Sequence, residues 1–211
     1  MTGRLGTLGL GALAGAKGDA VRAVELATPY SPYLARVSGR FPEILVQLKS
    51  VGPEAALEAR LGEIDEAGGM RGALDTPMRA MRRAKEAAHM IVAGADLAGI
   101  WKLDDVVERL TRLADASLEA ALRLAIRAAW TSGKLGETKD SGELPGLFVM
   151  AMGKMGAREL NYSSDVDLIV LFDLDVLPVE GSRAKEAMVR LTRDLELAGG
   201  SVRVKGSPDK S

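Results

Sequence analysis

Apolar residues recur every three to four positions along the first two thirds of the chain, which is the spacing of one face of an α-helix. Two long stretches show it most clearly. The first stripe consists of Met78, Met81, Ala84, Ala88, Ile91 and Val92, and the second of Val106, Leu110, Leu113, Ala114, Leu118, Ala121, Leu122 and Ala125. We therefore predict a mainly α-helical region at the amino-terminal side.

Residues that favour helix ends give the predicted boundaries, because a polar side chain can cap a helix and proline suits its first position. The predicted helices run from Ala20 to Ala27 with Asp19 as cap, from Pro32 with Ser31 as cap, from Pro42 to Leu48, from Pro53 to Gly68-Gly69, from Pro77 to Leu97 with Thr76 as cap, to about Trp130 with Asp104 or Asp105 as cap, and to Leu197 with Ser182 as cap. Tyr33 is predicted to face inward, and Gly133 is predicted to end the longest helix.

The pattern changes after Gly133. Two short apolar runs, Leu147–Met152 and Val166–Phe172, are predicted to be strands that flank a polar loop. The stretch from Lys134 to Gly146 is polar, with glycines and a proline, which is typical of a linker. The predicted organisation is a flexible start (1–18), a helical scaffold (19–133), a linker (134–146), a partial α/β domain (147–200) and an irregular tail (201–211).

Composition excludes several classes of function. The 211 residues carry 28 Lys and Arg against 29 Asp and Glu, a net charge of −1, so no global charge favours nucleic acid. The absence of cysteine excludes disulfides and thiolate chemistry, and a single histidine excludes a multi-histidine metal site. No apolar run approaches the roughly 20 residues of a membrane-spanning helix, so we expect no membrane association.

A cluster of cations lies in the first half of the helix predicted after Thr76. Arg79, Arg82, Arg83 and Lys85 could form an anion-binding patch, but a solvated helix face is the interpretation that their spacing favours. His89 follows within the same helix, and the sequence assigns it no role.

Candidate chemistry lies where the second predicted strand begins. Asp165 and Asp167 are two positions apart, and alternate side chains of a strand point to the same face. Mg²⁺ in proteins is often held by one or two carboxylates together with substrate phosphates. The pair is therefore a candidate Mg²⁺ site. The alternative is a β-hairpin whose two aspartates are merely solvated.

A glycine, eleven further residues and then Asp-x-Asp on a strand resembles the nucleotidyltransferase fold of the DNA polymerase β type, with Gly153 as that glycine. The longer stretch MGKMGARELNYSSDVDLIVLFD resembles the signature of bifunctional glutamine synthetase adenylyltransferase/adenylyl-removing enzymes. The resemblance implies a mainly α protein with a carboxy-terminal, partial α/β nucleotidyltransferase domain. It also implies that the protein is located in the cytoplasm. It covers about Ser31 to Leu195.

The resemblance also implies a reaction and its residues. Asp165 and Asp167 would be the catalytic carboxylates that hold Mg²⁺, and Gly153 would let backbone approach the nucleotide. Lys154, Ser163 and Ser164 would contact phosphates and, together with Gly153, would bind the nucleotide.

Members of this family carry two such domains. The amino-terminal one removes AMP from a tyrosine of glutamine synthetase by phosphorolysis, giving ADP, and the carboxy-terminal one adds AMP from ATP. The segments SPYLAR and ELNYSSDVDLIVLFD look closer to the amino-terminal domain. The expected partners are glutamine synthetase, adenine nucleotide, phosphate and a signal protein of the PII type. The adenylylating domain and a non-catalytic module that binds nucleotide or a partner protein remain the alternatives.

The sequence departs from the family pattern near its end. Family members continue into a strand reading roughly RVDLRLRP, which supplies a third acidic metal ligand, whereas this chain has Arg203-Val204-Lys205. Lys205 stands where the acid is expected, and a positive charge there would repel Mg²⁺. We therefore expect a chain truncated or frame-shifted within its catalytic domain and of reduced enzymatic competence.

Overall fold

The computed structural model describes residues 18–136, 140–162, 164–179, 182–199 and 202–205 and shows a mainly helical chain with a three-stranded sheet. The helices are α1 (Asp19–Ala27), α2 (Pro32–Arg40), α3 (Pro42–Val51), α4 (Pro53–Gly69), α5 (Asp75–Leu97), α6 (Leu103–Thr131), the four-residue α7 (Gly153–Gly156) and α8 (Ser182–Gly199), with a 3₁₀ turn at Thr28–Tyr30. The strands are β1 (Leu147–Ala151), β2 (Val166–Phe172) and β3 (Val202–Lys205). The helical character predicted from the apolar repeat is confirmed.

Several of the predicted helix caps are wrong, including Ser182, which is the first residue of α8 rather than its cap. Helix α1 already begins at Asp19, and its cap position is Gly18, which has no side chain to bond the helix end. Helix α5 begins at Asp75, so Thr76 lies inside its first turn. By contrast, Ser31 caps α2 as predicted, since its Oγ accepts a hydrogen bond from the Leu34 N–H at 3.2 Å.

The start of α6 also differs from the prediction in detail. The helix begins at Leu103, and Asp105 lies in its first turn rather than at the cap position. The Asp105 carboxylate accepts a hydrogen bond from the Lys102 N–H at 3.1 Å. This is the backward half of a capping box, in which an acid of the first turn satisfies the N–H that precedes the helix.

The end of α6 follows the prediction for Gly133, whose φ of 70° lies in the left-handed region that glycine adopts readily. The Gly133 N–H donates to the Trp130 carbonyl at 3.0 Å, and the Lys134 N–H donates to the Ala129 carbonyl at 3.1 Å. These bonds satisfy carbonyls at the helix end and turn the chain out of the helix.

The chain forms two compact units, which differ from the predicted division at the linker. The first comprises residues 1–63 and 82–113, and the second residues 64–81 and 114–211. Leu135 and Leu144, in the predicted linker, are buried in the apolar cluster of the second unit with Trp130. The Trp130 Nε1–H donates to the Glu143 carbonyl at 2.9 Å, so the described part of this segment packs against the end of α6.

In the first unit, helices α1 to α3 and parts of α4 to α6 bury their apolar side chains. Tyr33 is an exception, because it is 39% exposed and the prediction that it faces inward is wrong. Its hydroxyl donates to the carbonyl of Glu86 at 3.4 Å. The Glu86 carboxylate in turn accepts from Arg36 at 3.0 Å and from Arg40 at 2.8 Å, which ties α2 to α5.

The cations of α5 are dispersed rather than gathered into one patch. Arg79 and Arg82 are exposed, whereas Arg83 pairs with Glu43 at 2.6 Å. Lys85 is only partly exposed, and burial lowers the pKa of its ammonium group. The exposed arginines agree with the interpretation as a solvated face, whereas Lys85 does not.

The sheet has the order β1-β2-β3, with β1 antiparallel and β3 parallel to β2. β2 has its predicted bounds, and β1 ends at Ala151, one residue earlier than predicted. β3 lies within the segment predicted to be an irregular tail, and the description of Val202–Lys205 as irregular is therefore wrong. None of the described helices combines the length and apolar character that crossing a membrane requires.

Candidate functional site

The pairing of β1 with β2 brings the glycine-containing turn to the acidic pair. The strands are antiparallel with Ala151 opposite Leu168, and the next N–H, that of Met152, donates to the carbonyl of Asp167 at 2.8 Å. Gly153 follows directly as the first residue of α7. Eleven residues separate Gly153 from Asp165 in sequence, and the strand pairing closes that gap.

The two glycines of α7 are required for different reasons. Gly153 has a φ of 58°, a left-handed conformation that side chains disfavour, although space around it is open. A Cβ on Gly156 would lie 2.5 Å from the carbonyl oxygen of Ala151. The first glycine therefore permits the turn of the backbone, and the second permits α7 to lie close against β1.

The loop that follows α7 is fixed by buried side chains and by one contact to α6. Met155 and Leu160 are both buried. Arg158 has a φ of 58°, which is uncommon for a residue with a side chain and costs about 1–2 kcal/mol. Its guanidinium reaches the carboxylate of Asp115 at 3.4 Å. The loop is thus held in a defined conformation rather than left as an open connection.

Asp165 and Asp167 lie where the sequence predicts them, at the start of β2. Asp165 is exposed just before the strand, and Asp167 is half-buried as its second residue. Strand alternation would set both side chains on the same side if the extended backbone of β2 continues back to Asp165. Two carboxylate groups with solvent access match the donor set of Mg²⁺, which completes its shell with phosphate oxygens and water. Within the described residues no group of three or more His, Cys, Asp or Glu could hold a metal.

The predicted nucleotide-binding residues have different environments. The side chain of Lys154, the residue after Gly153, is exposed to solvent, as a side chain that contacts phosphate must be. Ser164 Oγ donates to Asn161 Oδ1 at 2.8 Å, so this hydroxyl is engaged within the loop. Ser163 lies outside the described residues.

Two further aspartates, Asp173 and Asp175, form a turn at the other end of β2. Asp173 Oδ1 accepts a hydrogen bond from the Asp175 N–H at 3.0 Å, and the Asp173 carbonyl accepts from the Leu177 N–H at 3.0 Å. Asp173 lies six positions after Asp167, about 20 Å along an extended strand at roughly 3.3 Å per residue. They do not join the candidate site.

The register of β3 shows a feature that the sequence did not reveal. Arg203 pairs with Asp167, and Lys205 pairs with Ile169. The family resemblance implies an acid at the position of Lys205, but Arg203 is the β3 residue paired with Asp167 along the backbone. Strand register is a non-local property, so no local pattern could have identified this neighbour. Asn161 was not among the predicted site residues, although its contact with Ser164 spans only three positions of the chain.

Comparison with known proteins gives the family. A family model described as glutamate-ammonia ligase adenylyltransferase matches residues 22–198. Similar relatives, each named bifunctional glutamine synthetase adenylyltransferase/adenylyl-removing enzyme, come from Caulobacter vibrioides (40% identical over 168 residues), Brucella suis (39% over 170) and Xanthobacter autotrophicus (40% over 168). Each match covers 78% of this chain but only 17% of the relative's length. The chain belongs to the glutamate-ammonia ligase adenylyltransferase family.

Proposed function

We propose that this chain is part of an adenylyl-removing domain that releases AMP from an adenylylated tyrosine of glutamine synthetase by Mg²⁺-dependent phosphorolysis. An oxygen of inorganic phosphate attacks the phosphorus of the AMP group, the bond from phosphorus to the tyrosine oxygen breaks, and ADP and the free tyrosine are formed. The observation that carries the proposal is the hydrogen bond from the Met152 N–H to the Asp167 carbonyl, at 2.8 Å. It sets a glycine turn beside an acidic pair, as phosphate chemistry requires.

The acidic pair supplies the metal ligands in this proposal. Asp165 and Asp167 would hold Mg²⁺, and their negative charges would position it at the start of β2. Bound Mg²⁺ would neutralise charge on the reacting phosphate groups and orient them for displacement. The half-buried position of Asp167 restrains its side chain, whereas the exposed Asp165 leaves room for a phosphate to approach.

The glycine turn supplies the phosphate contacts. The open space around Gly153 would let a nucleotide phosphate approach the backbone closely. The exposed ammonium of Lys154 would add a positive charge to the same group. Ser163 stays a candidate on the strength of the resemblance alone.

The direction of the reaction rests on the resemblance of SPYLAR and ELNYSSDVDLIVLFD to the amino-terminal half of the family. Removal and addition of AMP use the same type of site, and the acidic pair fits both. Their products differ, because phosphorolysis yields ADP whereas adenylylation from ATP yields pyrophosphate. Product analysis therefore separates the two directions directly.

A non-catalytic module that binds nucleotide or a partner protein is the second candidate. The observation that favours it is the register of β3, which pairs Arg203 with Asp167 and Lys205 with Ile169. Neither of these two β3 positions carries the third carboxylate that the family resemblance implies, so they add no metal ligand to the acidic pair. We expect Arg203→Asp to tighten Mn²⁺ binding more than Lys205→Asp does, because Arg203 is the direct neighbour of Asp167.

The proposed site is tested by calorimetric titration of the chain with Mn²⁺ in the presence of ADP. Asp165→Asn and Asp167→Asn should each weaken binding at least about tenfold, because each removes a charge that would adjoin the ion. Asp173→Asn, at the far end of the same strand, is the matched control and should bind like the unaltered chain. Equal affinity in all four proteins would reject the site.

The proposed reaction is tested by product analysis with the same proteins. Adenylylated glutamine synthetase, phosphate and Mg²⁺ should give ADP, and Asp167→Asn should give none. Pyrophosphate formed from ATP and unmodified glutamine synthetase would instead identify the adenylylating reaction. Binding of Mn²⁺ and ADP without either product would favour the non-catalytic module.

A further inference from the structure

Asn161 and Ser164 are joined by three hydrogen bonds in the loop that leads to the acidic pair. Ser164 Oγ donates to Asn161 Oδ1 at 2.8 Å and accepts from the Asn161 N–H at 3.2 Å. The Ser164 N–H donates to the Asn161 carbonyl, also at 3.2 Å. The two residues thus close a turn through both backbone and side chain.

The hydroxyl of Ser164 is committed to this turn. A serine hydroxyl has one proton to donate, and that of Ser164 goes to Asn161 Oδ1. A direct bond from this hydroxyl to a nucleotide phosphate would require that contact to break. The turn would then lose its shortest hydrogen bond, the one that links the two side chains.

The position of the turn gives it a consequence for the acidic pair. Leu160, directly before Asn161, is buried, and Val166, two residues after Ser164, begins β2. The turn therefore spans the short connection between a buried anchor and a paired strand. Asp165 is the single residue between Ser164 and that strand, so the turn restrains its backbone from the amino-terminal side.

We infer that Asn161 and Ser164 are positioning residues, which fix Asp165 for metal binding, and that Ser164 is not a phosphate contact. The inference rests on the proposed function, because it assigns the pair a role toward the Mg²⁺ site formed by Asp165 and Asp167. It changes the role that the sequence resemblance implies for Ser164, and it adds Asn161, for which the resemblance implies none.

A double-mutant cycle tests the inference. Mn²⁺ affinity is measured by water-proton relaxation without nucleotide, and by calorimetry with ADP, for Ser164→Ala, Asn161→Ala and the double variant. Positioning predicts that Asn161→Ala, which loses one hydrogen bond, weakens Mn²⁺ binding about fivefold to tenfold in both measurements, and that Ser164→Ala, which loses two, weakens it at least as much. The double variant should match Ser164→Ala within about twofold, because Ser164→Ala already removes the contact that Asn161→Ala removes.

Two further variants separate positioning from general damage to a turn. Ser164→Thr keeps the hydroxyl and should retain most of the affinity. Ser141→Ala removes another turn hydroxyl, whose Oγ accepts from the Glu143 N–H at 3.0 Å, and should leave Mn²⁺ affinity unchanged. Thermal unfolding by circular dichroism should show all variants folded at the assay temperature.

The outcomes are distinct for the inference and for the proposed function. If Ser164→Ala weakens binding only when ADP is present, and its effect adds to that of Asn161→Ala, Ser164 contacts phosphate and the inference is wrong. If Asp167→Asn leaves Mn²⁺ binding unchanged, the proposed metal site itself fails, whatever the turn variants do. Loss of affinity in Asp167→Asn together with the non-additive cycle supports both.

Discussion

The helices of the first compact unit bury a large set of apolar side chains, although Val46 and Leu103 are exposed, whereas the small sheet beside the acidic pair leaves several of its own exposed. Phe41, Leu48 and Leu57 are fully buried in the helical unit. On the sheet, Phe148 is 62% exposed and its cross-strand partner Leu171 is 48% exposed. The difference separates scaffold from surface, since the helical residues supply folding free energy and the sheet residues keep a face accessible next to the candidate site.

The largest expected effect on stability concerns the buried apolar side chains of the helical unit. Leu57→Ala should lower the free energy of unfolding by about 2–5 kcal/mol, because it removes buried apolar atoms and leaves a cavity. Leu103→Ala is the matched control: Leu103 is 74% exposed, and its loss should change stability by no more than about 0.5 kcal/mol. Urea unfolding followed by circular dichroism measures both. Similar losses in the two variants would show that exposure does not distinguish the positions.

The next effect concerns the turn of the candidate site. Gly156→Ala should lower the free energy of unfolding by about 1–3 kcal/mol, because the new Cβ would lie 2.5 Å from the Ala151 carbonyl oxygen. It should also weaken Mn²⁺ binding with ADP, since α7 must shift away from β1.

Gly62→Ala is the control for this substitution. Gly62 lies inside α4 with nothing within 4 Å of the added carbon, so alanine should raise stability by up to about 1 kcal/mol through its helix propensity. A Gly156→Ala variant as stable as Gly62→Ala, and with unchanged Mn²⁺ affinity, would contradict the assignment of Gly156 to close packing.

Local signals predicted the helical part of the chain well, and non-local geometry explains what they missed. The cap of α2 at Ser31 could be predicted because a serine before a proline is a strong local signal for a helix start. The bounds of β2 could be predicted because its apolar run is short and β-branched. Gly18 rather than Asp19 caps α1, a shift of one residue that periodicity cannot resolve. Spacing alone made the acidic pair a candidate metal site and left the alternative of two solvated aspartates open.

Other features depended on contacts between distant residues. The register that sets Arg203 beside Asp167 joins strands 36 positions apart, as counted between those two paired residues. Burial of Leu135 and Leu144 in a segment of polar composition likewise depends on the cluster around Trp130. A pattern along the chain indicates which residues favour burial, but the boundary between a linker and a core depends on tertiary packing.

A smaller effect on the free energy of unfolding, and one that depends on pH, is expected from His89, the single histidine of the chain. Burial, together with the charge of Lys85, lowers the pKa of His89 from its usual value of 6.5. The unfolded chain therefore binds a proton more readily than the folded one, and stability should fall as the pH is lowered through 6.5 toward the depressed pKa of the folded state. The slope is at most about 1.4 kcal/mol per pH unit.

Urea unfolding of the unaltered chain and of His89→Gln, at pH 7.5 and at pH 5.5, measures this effect. The unaltered chain should lose stability between the two pH values, and His89→Gln should lose less, because carboxyl groups titrate mainly below this range. An identical loss in both proteins would show that the histidine does not cause it.

The smallest expected effect concerns the exposed side of the comparison. Phe148→Thr should change the free energy of unfolding by no more than about 0.5 kcal/mol, because the side chain is already largely in water and threonine suits a strand. Leu168→Ala is the contrasting variant on the neighbouring strand, where the side chain is fully buried and its truncation should cost about 2–5 kcal/mol. Urea unfolding of the purified chain measures both. A loss of 2 kcal/mol or more in Phe148→Thr, on the scale of a buried residue, would mean that this face is covered in solution, and the sheet would then have to be counted with the scaffold.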